Sequence, residues 1–188
     1  MIDLKPACRE WNDLLADVSD EHLTKPTPCS EYTVRDLIVH IAEAAQGFTM
    51  IARRASGGGG DTDPSPEPAA VGLGDQWHEV VAAKVRTLGG AWDAPAAWAG
   101  RTDAAGVELT NERWGRIALT EMVVHGWDLA QATDQPFSLP HETLQACFDH
   151  VAEFIPNAPV PSLWGPAVDV PAGAPLLDQL VGLTGRRP

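Results

Sequence analysis

The sequence predicts an all-α protein: a four-helix bundle with an additional short helix and a Pro/Gly-rich C-terminal extension. Apolar residues recur at spacings of three and four in several separate stretches, which is the period of a helix face. No strand pattern competes with these stretches, and no internal repeat of fixed period is evident. At 188 residues, 44% hydrophobic and 21% charged, the chain fits one domain of ordinary size with enough apolar content for a core.

The first helical pattern runs from Leu4 to Val18 through Ala7, Trp11, Leu14 and Leu15, with Asp3 as the expected N-cap. A loop with Pro26, Pro28 and Cys29 follows and closes at Thr33. That hydroxyl, with Asp36 three residues on, has the spacing of a capping box, so a second helix starts there. Its apolar row is Val34, Leu37, Ile38, Ile41, Ala45, Phe48 and Ala52. The run from Ser56 to Pro68 has too little apolar content to repay ordering entropy and reads as a mobile connection inside the domain.

A third helix is expected after Asp75, carrying Trp77, Val80, Val81, Val85 and Leu88, with Gly89 and Gly90 as its stop. Ala91 to Asn111 has no assignable pattern. A fourth helix spans Glu112 to Thr133 with Asn111 as its cap, and a shorter fifth spans Pro140 to Ile155. Residues 1–155 therefore form the bundle and 156–188 an extension packing on it. Six prolines between Pro156 and Pro175 exclude a long helix there until Leu176 to Leu183.

A net charge of −13 argues against a nucleic-acid partner and against an anionic membrane surface. No apolar run is long enough to span a bilayer, and the N-terminus lacks the order of a secretory signal, so the cytoplasm is the expected location. Cys8, Cys29 and Cys147 fit neither a disulfide framework nor a CxxC motif and are expected as reduced thiols. There is no phosphate-binding lysine loop and no Gly-x-Ser-x-Gly turn, so neither a nucleotide site nor a serine hydrolase is suggested.

The chemistry concentrates on the fourth helix. At about 100° per residue, Glu121, His125 and Asp128 share a sector with Trp114, Ile117, Ala118, Leu129 and Ala132. Ionised groups facing an apolar interior need a partner or a metal. Glu121 and His125, four apart, can converge on one ion, and His40 on the second helix is the candidate third ligand. Two imidazoles and one carboxylate leave coordination positions open, which is the pattern of a catalytic zinc site. Nickel, iron and manganese suit the same donors.

Taken alone, the Glu-x-x-x-His pair reads equally well as a salt bridge. Asp128 is read as a group that orients a ligand ring or as an acid/base, with a plain ion pair as the alternative. Glu43 is a weaker substitute ligand expected in solvent. His22, His78, His141 and His150 are expected mostly at the surface, and Cys29, placed to approach the pocket or to hold the loop, reads as a small buried hydrophobe ahead of a nucleophile. An apolar face on the fifth helix is compatible with a homodimer.

The stretch from Pro28-Cys29-Ser30-Glu31-Tyr32-Thr33 to His40, together with Glu121-Met122-Val123-Val124-His125-Gly126-Trp127-Asp128, resembles the metal-binding domain of mycothiol-dependent maleylpyruvate isomerases. It also resembles their short actinobacterial relatives in the damage-inducible-type four-helix-bundle superfamily, down to an ending of the Gly185-Arg186-Arg187-Pro188 type. The resemblance implies a bundle with a crossover connection, a divalent metal on His40, Glu121 and His125, and Asp128 in the active site. It further implies a low-molecular-weight thiol cofactor such as mycothiol, activated by the metal to attack an electrophile. The full isomerase has a further C-terminal domain that this chain is too short to hold. A general thiol S-transferase is therefore the expected activity, with a non-catalytic metal-binding or ligand-sensing module as the alternative.

Overall fold

A computed structural model describes residues 1–57, 73–74, 76–104, 106–157 and 165–188. Its helices are α1 (Lys5–Ala16), α2 (Val34–Ala55), α3 (Trp77–Ala91), α4 (Asn111–Thr133), α5 (His141–Phe154) and α6 (Leu176–Leu183), with a hairpin of β1 (Arg101–Ala104) and β2 (Val107–Thr110) before α4. Most of the expected mobile connection, and Asp75, lie outside the described residues.

The bundle is α1 to α4. Both α1 and α2 pack against α3 and α4, so consecutive helices α1 and α2 sit across the bundle from one another, which is the crossover arrangement. The apolar rows account for this packing: Trp11, Leu14 and Leu15 from α1, Leu37, Ile38 and Ile41 from α2, and Val81, Val85 and Leu88 from α3 are all buried. The Trp11 indole donates to the Met122 carbonyl at 2.8 Å, fixing α1 against the middle of α4. Gly126 makes that approach possible, since a Cβ there would lie 2.8 Å from the Phe137 ring and 3.1 Å from Trp11 Nε1.

Several local expectations need correction. Leu4, not Asp3, directly precedes α1, although the Asp3 carboxylate still accepts from the Lys5 amide at 2.9 Å. Gly89 and Gly90 do not stop α3, which runs on to Ala91; Gly89 instead lets α1 approach, a Cβ there meeting Cys8 Sγ at 3.3 Å. The cap of α4 is Thr110, whose hydroxyl accepts from the Arg113 amide. Asn111 is buried, bonding the Thr102 hydroxyl and the Ala99 carbonyl.

The unassigned segment holds a 3-10 turn at Pro95–Trp98 and the β1–β2 hairpin, paired from Arg101↔Thr110 to Ala104↔Val107. These strands were illegible because each is four residues long and only half-covered. Tertiary contacts hold them: the Trp114 indole donates to the Thr102 carbonyl at 2.9 Å.

Helix α5 packs on α4 and α6, burying Thr143, Cys147, His150 and Val151. Among the described residues no helix is long and apolar enough to cross a membrane.

Candidate metal centre

The turn into α2 is built from its own hydrogen bonds. The Thr27 hydroxyl contacts the carbonyls of Cys29 and Tyr32 at 2.9 and 2.8 Å, and the Tyr32 amide donates to the Cys29 carbonyl at 2.9 Å. The predicted capping box is present, with Thr33 and Asp36 bonded reciprocally. Tyr32, one residue before the cap, is thereby held over the first two turns of α2. Seven residues past the cap, His40 faces α4.

Three side chains from α2 and α4 converge. His40 Nε2 lies 2.9 Å from Glu121 Oε2, and His125 Nε2 lies 3.4 Å from the same oxygen. Donor atoms of all three fall within 4.8 Å of one another. Their side chains are 31%, 18% and 12% exposed for His40, Glu121 and His125, so the cluster is partly open to solvent. The wheel placed this sector toward the core; in the bundle Ala118, Asp128 and Leu129 are fully buried, but Trp114, Ile117, Glu121, His125 and Ala132 are half-buried, and Leu119, Met122 and Val123 are buried beside them.

The outer nitrogens are tied down. His125 Nδ1 lies 2.9 Å from Asp128 Oδ2, and His40 Nδ1 lies 3.4 Å from the Tyr32 hydroxyl. An ionised carboxylate only accepts, so Asp128 fixes the proton of neutral His125 on Nδ1 and leaves a lone pair on Nε2. That lone pair faces a carboxylate oxygen, an arrangement that demands positive charge between them, as a proton or a cation. Burial alone would push the His40 imidazole down, but its hydrogen bond to Glu121 and the charges of Glu121 and Glu43 outweigh this and raise its pKa. Burial would likewise raise Glu121; the His40 hydrogen bond and the charges of His125, His40 and Arg186 hold it below the usual carboxylate range.

Asp128 is fully buried and carries a partner that sequence reasoning missed. Arg186 Nε and the Arg186 terminal Nη2 donate to its two oxygens at 3.2 and 2.8 Å. Against the desolvation that would raise it, the bonds from His125 and Arg186 keep Asp128 ionised. A Schellman ending on α6 aims Arg186 inward: Gly185 has φ of 85°, its amide donates to the Gly182 carbonyl at 3.0 Å, and the Arg186 amide donates to the Val181 carbonyl at 3.0 Å. The glycine at the left-handed position was the available signal.

Tyr32 was also missed as a site residue, its ring 5.2 Å from that of His40 and 6.2 Å from that of His125. Glu43 is exposed, as expected. Cys29 is half-buried and its sulfur lies within 4.8 Å of His125 and Asp128 donor atoms. His141 is exposed, but His150 is 5% exposed, contrary to the expectation of a surface residue.

The donor set fits a divalent first-row cation: two imidazole nitrogens with their other nitrogens engaged, plus one carboxylate, open on one side. Fold and site together define a helical-bundle protein with a two-histidine, one-carboxylate cluster between its second and fourth helices. The chain belongs to the mycothiol maleylpyruvate isomerase N-terminal domain family, whose model matches residues 4–130.

Two proteins of Mycobacterium tuberculosis, from strains CDC 1551 and H37Rv and both named as uncharacterized, are each 30% identical to it over 129 residues. The alignment covers 69% of this chain and 64% of each relative, so the chain matches somewhat less than two thirds of their length. No solved structure matches significantly. The matched region contains His40, Glu121, His125 and Asp128; Arg186 lies beyond it.

Proposed function

We propose that His40, Glu121 and His125 bind a divalent metal ion, zinc being the expected one, and that the protein uses a low-molecular-weight thiol such as mycothiol to conjugate or isomerise small electrophiles. One observation carries this reading: both Nε2 atoms aim at a single oxygen of Glu121 while both Nδ1 atoms are engaged elsewhere. A surface salt bridge needs no such orientation of two rings. Family membership, by its description, adds the mycothiol-linked chemistry.

A divalent cation supplies the positive charge that favours the thiolate over the thiol. The chain's own residues do the positioning. Asp128 holds the His125 ring and its tautomer, and Arg186 keeps Asp128 anionic. With no exposed surface and both oxygens hydrogen-bonded, Asp128 is suited to orientation rather than to proton transfer with a substrate. Tyr32 steadies His40, and its own pKa is raised by burial and neighbouring negative charge, so its hydroxyl stays protonated.

The test uses the full chain loaded with zinc, a thiol and a chromogenic aryl halide. Wild type should bind about one equivalent of metal and accelerate conjugation, and His125→Ala should lose both. Equal rates for the two proteins remove the catalytic assignment. Stoichiometric metal without thiol-dependent turnover leaves a metal-binding module.

A further inference from the structure

The turn that holds Tyr32 also delivers a thiol to this cluster. Cys29 Sγ stands within 4.8 Å of a His125 ring nitrogen and of an Asp128 carboxylate oxygen. The bonds that close this turn pass through the Cys29 carbonyl itself, so the turn fixes the backbone from which the sulfur projects. The other thiols are elsewhere and covered: Cys8 lies against Gly89 and Cys147 against Thr120.

Cys29, His125 and Asp128 do not make a cation site by themselves. Both Asp128 oxygens already accept from Arg186, and a cation placed there would press against a guanidinium. The donors of His40, Glu121 and His125 face one another instead, and His125 belongs to both groups. To join the three-donor group the Cys29 sulfur would have to turn toward it about χ1.

Resting on the metal assignment above, we propose that Cys29 is a fourth, displaceable protein ligand of this centre. Its sulfur occupies the coordination position that an external thiol would otherwise take. On coordination the Cys29 S–H proton leaves to solvent. When an external thiol enters, its sulfur–metal bond forms as the Cys29 bond breaks, and its proton passes to the Cys29 sulfur; no oxidant is required. A set of two imidazoles, one carboxylate and one thiolate favours zinc or cobalt over magnesium or manganese.

The test is the absorption spectrum of the full-length protein loaded with cobalt(II), with no added thiol. Wild type should show visible d–d bands of a four-coordinate ion and a near-ultraviolet sulfur-to-cobalt charge-transfer band. Cys29→Ser should keep the d–d bands and lose the charge-transfer band. Visible bands without charge transfer in wild type, or charge transfer that survives in Cys29→Ser, overturn the role of Cys29 and leave the three-ligand site intact. Cobalt that does not stay with the protein on gel filtration overturns the metal assignment together with this extension of it, and retained cobalt with neither feature overturns the role of Cys29 alone.

Discussion

Two histidines of this protein, one half-buried and one buried, meet opposite fates. His125, on α4, has one nitrogen bonded to Asp128 and the other aimed at Glu121. His150, on α5, is 5% exposed, stacks on Phe154 with ring centroids 4.9 Å apart, and has an Nε2 with no hydrogen-bond partner among the described residues. Burial, reinforced by the charges of Arg116 and Arg113, pushes the His150 imidazole down to about 4, so it is neutral in the folded protein. Burial of a histidine is therefore not the mark of a site. The mark is convergence, in which each ring atom has an assigned partner and several rings point at one place.

The comparison breaks first at its most heavily loaded point. Arg186→Ala leaves the fully buried Asp128 carboxylate with only His125 for support, and loss of one partner from a buried ion pair costs about 3–5 kcal/mol. Urea unfolding of the metal-free protein should show that loss. A change under 1 kcal/mol, the range of an exposed pair, means the tail contact is dispensable.

Asp128→Asn is a milder cut, keeping the volume while removing the charge that fixes the His125 tautomer. Metal affinity should fall about 10–100-fold, as for other groups that orient a ligand ring. Competition with a chromophoric chelator measures this, and unchanged affinity denies Asp128 its orienting role.

His150 gives the smallest effect and the contrasting pH dependence. The unfolded chain takes up this proton near 6.5 and the folded chain only near 4, so between those values the unfolded state holds more protons and stability declines as the pH falls. The contribution is about 2 kcal/mol over that window, discounted for residual solvent access, and is fully present above it. In His150→Leu the decline between pH 6.5 and about 4 should be shallower than in wild type by that amount. Parallel stability curves would show that His150 titrates normally and that its ring is not desolvated.

Much of the site was legible before any coordinates. Thr33 and Asp36 announced the start of α2, and that start sets the rotation that turns His40 toward α4. The four-residue spacing of Glu121 and His125 placed both on one side of α4, as their shared oxygen contact requires. The position of Glu121 relative to solvent was not legible, because α4 is apolar around most of its circumference and a wheel cannot choose an inner face for such a helix. The hairpin before α4 was equally hidden, since short half-covered strands draw their stability from side chains outside their own pattern, here Asn111 and Trp114 at the start of α4.

What the sequence determined by itself was local: where helices begin, which rows are apolar, and which ligand-type residues lie one turn apart. These follow from backbone hydrogen bonding and periodicity, which act over a few residues. Only the tertiary structure decided that the Tyr32 hydroxyl meets His40 and that Arg186, 58 residues from Asp128, neutralises it inside the bundle. Pairing across such distances depends on how helices pack and on the electrostatic cost of leaving a buried charge alone, and neither is written in the spacing of neighbouring residues.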